Sequence, residues 1–434
     1  MHHLEYSVIS ERFMIRGDLD MITVAIIGAG QRGKDTYADY ILRGMDGVQL
    51  VGVAEPIEER REYMKIAHHL REDYVFSSYD ELLAIPKFCD AVLICTNDEM
   101  HYEPAKLALE KGYHILLEKP MTNTPEEVDK LEVLARKYEK QVFMVCHVLR
   151  YTPFFSTIKQ LIDEGNIGDV MSIQHNENIG YYHMAHSFVR GNWRNSVETS
   201  PIILAKSCHD FDILNFLVNS KCSKLASFGK LNHFKKENMP IDAAPRCLDC
   251  SAESGCPYSA LKLYPRHIGH WPTTVITEDQ TEAGVQKALL EGPYGRCVYC
   301  CDNDVADHQV TILEFENGVS ATFNLSAFTE EITRTIKVMG STGEIRGHMG
   351  RNEIDIYDFK TNTVKHIEPT DDISGHKGHG GGDSRLLSDF IDAVQDHLNG
   401  FHHESKTSAL VSLESHRMAF AAERSRLTNQ VIIF

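Results

Sequence analysis

The chain contains 434 residues, 42% hydrophobic and 24% charged, with a formal net charge of −18 at pH 7. That length suits two or three domains, and the negative charge argues against nucleic acid or an anionic membrane surface as a partner. The sequence contains no apolar run long enough to span a membrane. Residues 1–20 lack the pattern of a secretion signal. We therefore expect a cytoplasmic protein, and we treat residues 1–20 as an N-terminal extension without an assigned function.

A dinucleotide-binding turn is the first feature in chain order. A short apolar strand ends at Gly28-x-Gly30-x-x-Gly33, and a helical pattern follows. In such a turn the first glycine permits the tight bend, the second lets a pyrophosphate approach the backbone, and the third lets the helix pack closely on the strand. A second apolar strand, 48–54, ends at Glu55. This acid lies about 20 residues beyond the last glycine, where it can bind the ribose hydroxyls.

Strands and helices then alternate, which predicts an α/β Rossmann domain with a doubly wound parallel sheet over 21–150. In such sheets, ligands bind at the carboxyl ends of the strands. Two later strands end at Thr96-Asn97 and at Glu118-Lys119. We therefore expect these side chains to surround the same site as the glycine turn.

The pattern changes after residue 150. Segments with period-2 alternation follow, and Asn317-Gly318 between two of them is the strongest short-range signal for a β-hairpin. We predict for 151–434 an α+β substrate and oligomerisation domain with a large, mainly antiparallel open sheet, closed by an edge strand at 431–434. A sheet of this kind has a face that needs covering. We therefore expect a homo-oligomer, a dimer or tetramer, formed through the sheet.

Residues 375–383 are rich in histidine and glycine, and the end of this stretch, His379-Gly-Gly-Gly-Asp383, precedes the first of two amphipathic helices near the C-terminus. It predicts either a flexible lid or a helix start capped by Asp383. We prefer the cap.

Four motifs together resemble the glucose–fructose oxidoreductase/inositol dehydrogenase (Gfo/Idh/MocA) family. They are, in chain order, the glycine turn, Thr96-Asn97 followed by His101, Glu118-Lys119-Pro120, and Lys206-Ser-Cys-His209-Asp-Phe-Asp212. The resemblance runs from about residue 21 to the end of the chain. It implies an NAD(P)-dependent enzyme acting on sugars, cyclitols or similar polyols. It also implies an active site in the cleft between a Rossmann domain and an open antiparallel sheet.

The resemblance also implies catalytic residues. Oxidation of a carbinol needs a hydride acceptor, a base for the hydroxyl proton and a cation near the developing alkoxide. In the family the lysine of Glu-Lys-Pro, here Lys119, lies near the nicotinamide and the substrate oxygen. His209 matches the active-site histidine and would relay the proton. The alternatives are that Lys119 pairs with Glu118 and that His209 is an ordinary core histidine.

One position departs from the family pattern. The family commonly has an acid where this chain has Ala205, and Lys206 brings a cation next to it. An acid that would orient a partner or tune its pKa is therefore missing. Three alternatives stay open: Lys206 takes part in catalysis, another residue supplies the acid, or the dehydrogenase chemistry is altered or lost. We include Lys206 among the catalytic candidates.

A stretch of aromatic, histidine and arginine residues, 181–194, offers the hydrogen-bond donors and flat apolar faces that polyol ligands need. An ordinary polar surface loop is the alternative. A metal held by His183 and His186 is a third interpretation, which we do not adopt. The substrate-binding candidates are Arg150, Tyr151, His186, Arg190, Trp193, Arg194 and His209.

The predicted cofactor is NAD. Its candidate binding residues are Gly28, Ala29, Gly30, Gln31, Arg32, Gly33, Glu55, Thr96, Asn97, His101, Glu118 and Lys119. Glu55 favours NAD because a carboxylate repels the 2′-phosphate of NADP. Arg60 and Arg61 nearby weaken that preference, so NADP stays an alternative.

Eleven cysteines without a secretion signal predict reduced thiols or metal ligands rather than disulfides. Six of them lie in a Cys-rich insertion at about 240–306. Their spacing predicts a structural zinc site with the ligands Cys247, Cys250, Cys256 and Cys297. The fourth ligand is open, since Cys300 or Cys301 fits as well. An iron–sulfur cluster on the same ligands, or a group of reduced surface thiols, is the alternative.

The sequence therefore predicts an NAD(P)-dependent oxidoreductase that transfers hydride between nicotinamide and a sugar- or cyclitol-like hydroxyl or carbonyl. Two other functions stay open. One is a glycosidase that uses tightly held NAD in a transient oxidation and elimination. The other is a non-catalytic, NAD-binding sensor.

Overall fold

The computed structural model describes residues 21–369 and 379–434. Within them the chain forms two β-sheets with helices packed on their faces. The predicted extension at 1–20 and residues 375–378 of the stretch 375–383 lie outside the described residues. No helix of the described part is long and apolar enough to cross a membrane.

The first sheet confirms the predicted doubly wound parallel architecture. Its strands are β1 Ile22–Ile27, β2 Val48–Ala54, β3 Val75–Phe76, β4 Ala91–Ile94, β5 His114–Leu117 and β6 Phe143–Val145. They lie in the order β3-β2-β1-β4-β5-β6, with every pair parallel. β4 and β5 are buried along their whole length, as expected of strands covered on both faces. The order reverses between β1 and β4, and open α/β sheets bind their ligands at such a reversal.

Helices on both sides cover this sheet. Those between its strands are Gly33–Ala38 with Asp39–Leu42, Glu58–Ala67, Tyr79–Ala84, Tyr102–Glu110 and Pro125–Lys137. The chain returns to the sheet near its C-terminus, where Leu386 and Phe390 of the helix Gly382–Leu398 join the same core as Val24 and Leu50. The first sheet therefore depends on both ends of the described chain.

The second sheet has nine strands and is mainly antiparallel, as predicted. The strands are β7 Val170–Asn178, β8 Cys222–Lys230, β9 His308–Phe315, β10 Ser320–Ser326, β11 Thr333–Gly340, β12 Gly343–His348, β13 Glu353–Asp358, β14 Thr363–Ile367 and β15 Ile432–Ile433. Their order is β14-β13-β12-β11-β7-β10-β9-β8-β15. The pair β7 and β10 is parallel.

Two local predictions for this sheet are confirmed. Asn317-Gly318 connects the antiparallel strands β9 and β10, and Gly318 has a positive φ of +86°. Such a φ favours glycine because it costs a side chain strain. The C-terminal strand β15 pairs with β8 and lies at the edge of the sheet.

One face of the second sheet is covered by helices. Phe155, Phe211 and Phe323 meet in the core between them. The helices that cover this face are Pro153–Asp163, Cys208–Val218 and Ala409–Thr428. On the opposite face Phe228 and Ile312 are 60% and 52% exposed. In the single chain this face is therefore uncovered at apolar positions.

The segment 240–306 forms no strand of either sheet. Its helices include Ala260–Leu263, Thr273–Ile276 and Glu282–Glu291. Tyr264, Val285 and Leu289 form a small core of its own. Its two ends are joined by a backbone bridge between Arg246 and Arg296. The segment is thus held together by apolar packing and backbone pairing.

Asp383 does not cap the helix Gly382–Leu398, so that prediction is wrong. The cap position is Gly381, and Asp383 lies in the first turn. Its carboxylate instead forms ion pairs with Arg32 at 2.7 Å and His379 at 3.0 Å. The charged guanidinium of Arg32 attracts the carboxylate more strongly than a free backbone N–H does.

Candidate active site

The glycine turn fits a pyrophosphate. Gly28 has a φ of +92°, and a Cβ there would lie 2.8 Å from the carbonyl carbon of Cys95. A Cβ on Gly33 would lie 2.0 Å from the carbonyl oxygen of Gly28. At Gly30 the nearest atom, Nη1 of Arg60, is 3.9 Å away. Two glycines are thus required by packing, and the third leaves open the backbone that a dinucleotide approaches.

Glu55 is buried at the end of β2 and braces this turn. One carboxylate oxygen accepts a hydrogen bond of 2.6 Å from the Ala29 N–H, and the other accepts one of 2.9 Å from the Ile57 N–H. The acid therefore holds the backbone of the turn in place, in addition to the contact with ribose that we expect of it.

Arg32 connects the turn to two distant segments. Its Nε donates to Glu118 at 2.6 Å, and its Nη2 donates to Asp383 and to the Tyr37 hydroxyl, each at 2.7 Å. Burial opposes ionisation of Glu118, but the charges of Arg32 and Lys119 outweigh it and lower the pKa of this carboxyl. The network fixes the strand end that carries Lys119.

Lys119 directs its amine toward the second half of the chain. Nζ donates to the carbonyl oxygen of Ala205 at 2.9 Å, while Glu118 pairs with Arg32. The alternative in which Lys119 pairs with its neighbour is therefore not what the structure shows. The backbone of Ala205 now receives the amine at the position where the family commonly carries an acid.

His209 lies in the first turn of the helix Cys208–Val218 and is buried. Its ring centroid is 5.6 Å from that of His147 and 6.1 Å from that of His379. Its Nδ1 has no hydrogen-bond partner among the described residues. Burial, followed by the charge of Lys119, holds the pKa of His209 well below its usual value, so the imidazole is neutral at pH 7.

The glycine turn, Lys119 and His209 line one cavity of about 380 Å³, which we call the cofactor cavity. Most of the predicted cofactor residues and three predicted substrate residues reach it. The predicted residues on its wall are Gly30, Gln31, Arg32, Thr96, Asn97, Glu118, Lys119, His186, Trp193 and His209. Residues that were far apart in the sequence therefore converge at the carboxyl ends of the parallel strands.

A second cavity of about 690 Å³, which we call the sheet cavity, adjoins the first, and both are lined by Gln31, Trp271 and His379. Lys206 and Arg334 also line the sheet cavity. Lys206 lies 3.4 Å from Glu177. Burial, together with the charges of Arg334 and Lys119, lowers the pKa of Lys206, and Glu177 opposes this shift.

Other predicted binding residues have structural partners away from these cavities. The guanidinium of Arg150 forms two bonds of 2.7 Å to Asp212. Tyr151 donates to Asp389 at 2.6 Å. His101 uses both ring nitrogens on backbone carbonyls, at 2.6 Å to Pro120 and 3.1 Å to Thr96. These residues hold the cleft walls together.

Two arginines of the stretch 181–194 also point elsewhere. Arg194 pairs with Asp302 at 2.9 Å and with Glu198 at 3.0 Å. Arg190 donates to the carbonyl oxygen of Arg296 at 2.7 Å and lies beside Cys247. The stretch therefore contributes His186 and Trp193 to the cofactor cavity, and its arginines anchor the segment 240–306.

Trp271 and Arg334 were not among the predicted site residues. Trp271 lies in the Cys-rich segment and packs edge-on against His183 and His186, with centroids 5.0 and 5.4 Å apart. It is one of two tryptophans in the chain, and a flat apolar ring is what a sugar face stacks on. Arg334 lies two residues before the buried Ile336 on β11, and residues two apart on a strand share a face. The sequence alone could therefore have placed Arg334 on the inner face of the sheet.

The predicted zinc site is not supported. The described residues contain no group of three or more His, Cys, Asp or Glu side chains positioned to hold a metal ion, and all eleven cysteines are free thiols. The four predicted ligands Cys247, Cys250, Cys256 and Cys297 line a separate cavity of about 290 Å³. The segment's own apolar core and the pairing of its ends hold it together in this structure.

Comparisons with known proteins agree with the fold. Residues 22–147 match the family model described as an oxidoreductase family with an NAD-binding Rossmann fold, and residues 159–401 match its C-terminal alpha/beta domain. The fold and the matched family models therefore define an oxidoreductase with an NAD-binding Rossmann domain. The chain belongs to the Gfo/Idh/MocA family.

Relatives include the uncharacterized oxidoreductase YhhX of Escherichia coli, 28% identical over 325 residues, which cover 70% of this chain and 83% of YhhX. The NAD⁺-dependent scyllo-inositol 2-dehydrogenase of Bacillus subtilis is 27% identical over 232 residues, 51% of this chain and 62% of that enzyme. Among solved structures, an inositol dehydrogenase homologue of Azotobacter vinelandii, complexed with NADH and myo-inositol, has a TM-score of 0.67 at 16% identity. That match covers 96% of this chain and 98% of the other.

Proposed function

We propose that the protein is an NAD-linked dehydrogenase that oxidises a hydroxyl group of a sugar- or cyclitol-like polyol. One observation carries the proposal: Lys119 and His209 line the same cavity as the glycine turn, and that cavity adjoins a larger one with Trp271 between them. A cation, a neutral base and an aromatic face thus lie beside a dinucleotide site. The inositol dehydrogenases among the relatives support this substrate class.

The proposed chemistry assigns one task to each group. NAD, when bound, supplies the acceptor for the hydride from the carbinol carbon. Lys119 moves its hydrogen bond from Ala205 to the substrate oxygen and stabilises the charge that develops there. His209, neutral because its pKa is lowered by burial and by Lys119, accepts the hydroxyl proton. His379, adjacent and partly exposed, leads that proton toward solvent.

We propose that Lys206 takes part in catalysis, because this chain has Ala205 where the family commonly has an acid. Lys206 lies in the sheet cavity with its amine 3.4 Å from Glu177, and this acid stabilises the charged form of the lysine. Its charged form also adds a second cation near the developing alkoxide. Lys206 therefore assists Lys119 and His209 from the substrate side.

We propose NAD rather than NADP as the working cofactor. Glu278 of the segment 240–306 forms ion pairs with Lys34 at 3.3 Å and with Arg60 at 3.2 Å beside the cofactor cavity. Arg60, the residue that weakened the preference for NAD, is thus paired. We expect Glu278 and Glu55 to lie near the adenosine ribose, where both carboxylates would oppose a 2′-phosphate.

We also propose a homo-oligomer, dimer or tetramer, that works in the cytoplasm. The exposed apolar side chains on one face of the second sheet, Phe228 and Ile312 among them, support association, because a partner would remove them from water. Eleven free thiols support a reducing compartment.

A panel of sugars, cyclitols and aryl glycosides, assayed with NAD and with NADP, tests the proposed function. We expect nicotinamide reduction with one or more polyols and a preference for NAD. Replacement Lys119→Met should lower kcat/KM by about 10²- to 10⁴-fold, because it removes the charge that stabilises the alkoxide. The exposed Lys140→Met is the control and should retain activity.

Two results would contradict the proposal. Release of the aglycone from an aryl glycoside without net change in nicotinamide absorbance would indicate a transient-oxidation glycosidase. Binding of NAD without turnover of any compound, unaffected by Lys119→Met, would indicate a sensor.

A further inference from the structure

The charges that face the sheet cavity are positive. Among the described residues on its wall, Lys206 and Arg334 are the charged side chains, with His183 and His379 beside them. Lys206 and Arg334 are 18% and 9% exposed, whereas the carboxylates behind them, Glu177 and Asp210, are 1% and 0% exposed. A ligand in this cavity therefore meets the cations and not the acids.

Two of the three guanidinium nitrogens of Arg334 contact acids among the described residues, and the third does not. Its Nε donates to Asp210 at 2.7 Å, and its Nη2 lies 2.6 Å from Glu177 and 3.3 Å from the other oxygen of Asp210. No described residue accepts a hydrogen bond from Nη1. His175 also donates to Oδ1 of Asp210, at 2.7 Å, and helps to fix the acid. The guanidinium is thus rigidly oriented, with its remaining N–H groups available to a ligand.

Lys206 and Arg334 both contact the carboxylate of Glu177. Its ion pair with Glu177 is 3.4 Å long, against 2.6 Å for the pair between Arg334 and Glu177. Glu177 and Asp210 together balance the two charges, but both acids are buried behind the cations, so the cavity presents only Lys206 and Arg334. A neutral polyol would displace water from these two cations and would offer them only neutral hydrogen-bond acceptors. A carboxylate would form charge-assisted hydrogen bonds with both, which are stronger.

We propose that the substrate is a polyol that carries a carboxylate, such as a uronic or aldonic acid. Its carboxylate binds to Lys206 and to Nη1 of Arg334, its carbon chain or ring lies against Trp271, and its reacting hydroxyl reaches Lys119. This inference rests on the proposed dehydrogenase function and adds the charge of the substrate. Lys206 and Arg334 are then the residues that determine specificity for the acid.

Matched pairs of compounds test the inference. Glucuronate is compared with glucose, galacturonate with galactose, and gluconate with glucitol, with myo-inositol and glucose 6-phosphate as further ligands. We expect the dissociation constant of the acids, measured by calorimetry with NADH bound, to be about ten- to a hundredfold lower than that of their neutral partners. This is the range for charge-assisted hydrogen bonds. The ratio of kcat/KM for acid over neutral compound should favour the acid in the same way.

Variants locate the effect. Lys206→Met should lower the acid-to-neutral ratio of kcat/KM about tenfold, and Lys206→Arg should restore most of it, because a cation returns. The ratio separates specificity from any catalytic role, since a purely catalytic lysine would lower both rates equally. The exposed Lys365→Met is the control and should leave the ratio unchanged. Circular dichroism and NADH binding confirm that each variant is folded.

The outcomes separate the inference from the proposed function. Turnover of neutral polyols with equal or weaker binding of the acids overturns the inference and leaves the dehydrogenase function intact. Tightest binding of glucose 6-phosphate also overturns it, since the site then recognises a phosphate. If neither acids nor neutral polyols bind or reduce NAD, both fail. A ratio unchanged in Lys206→Met would show that the carboxylate binds elsewhere.

Discussion

Burial decides the ionisation of the groups around His209. The imidazole lies beside the charge of Lys119 and beside the ring of His147, and burial is the largest cause that lowers its pKa. The pKa of His147 is lowered well below its usual value for the same first reason. The site thus contains neutral histidines next to a charged lysine. This combination suits removal of a proton from an alcohol whose oxygen is held by the lysine.

The pH dependence of the reaction follows from that assignment. His209 must be neutral to accept a proton, and its pKa lies well below 6.5, so the reactive form persists as the pH falls through 6.5. We predict that kcat/KM for polyol oxidation shows no acid limb near pH 6.5 and falls only at distinctly lower pH. Initial rates across the acid range at saturating NAD measure this. A half-loss of activity at pH about 6.5 would mean that the essential base has an ordinary histidine pKa.

At the scale of elements, the segment 240–306 closes the cofactor cavity. Trp271, Thr274, Val275 and Glu278 line that cavity opposite the glycine turn. Glu278 reaches across to Lys34 and Arg60. The segment therefore forms a wall of the site, although its cysteine spacing suggests a metal-binding insertion.

We predict that Glu278→Gln speeds release of the dinucleotide. The acid is partly exposed, so its two ion pairs are weak, and we expect the dissociation rate of NADH to rise about two- to fivefold. Stopped-flow fluorescence of NADH displacement measures the rate. Glu282→Gln, an exposed acid of the same segment, is the matched control. Equal rates in both variants would show that the contact to Glu278 does not retain the cofactor.

The elements were predictable where the signal is local. The glycine turn, the strand ends at Thr96 and Lys119, and the hairpin at Asn317 each depend on a few adjacent residues, and these predictions agree with the elements observed. Side-chain direction was harder to predict, because distant partners decide it. Arginine is a residue type that often binds ligands, yet the guanidinium of Arg150 is bound by Asp212, 62 residues later.

The two missed cavity residues show the same limit. Trp271 reaches the cleft through the packing of its whole segment, and no adjacent residue indicates that position. Arg334 is charged at the start of a strand that otherwise alternates in a regular way. Its two acidic partners come from β7 and from the helix that begins at Cys208. The inner position of a charged strand residue is a signal that sequence reasoning can use.

At the scale of the whole molecule, one face of the nine-stranded sheet exposes apolar side chains to solvent in the described part of the chain. Phe228 pairs across β8 and β9 with Val310, and Ile312 follows on the same face. Helices cover the other face, and the parallel sheet is covered on both sides. Association through this face would bury the exposed apolar side chains.

We predict that the protein is a dimer or tetramer and that Ile312→Asp shifts it toward monomer. A charge at the centre of an apolar interface stays unpaired when buried, which disfavours association. Light scattering coupled to size exclusion measures the mass of each form. Val133→Asp, at an exposed apolar position on a helix of the first sheet, is the control. A wild-type monomer would contradict the proposed assembly.

A crystal structure of the protein with NAD and a polyol acid tests the central claim most directly. We predict that Lys119 Nζ and a ring nitrogen of His209 both lie within about 3 Å of the same substrate hydroxyl oxygen, beside the nicotinamide. The account is contradicted if Lys119 keeps its bond to Ala205 and the substrate oxygen contacts neither group.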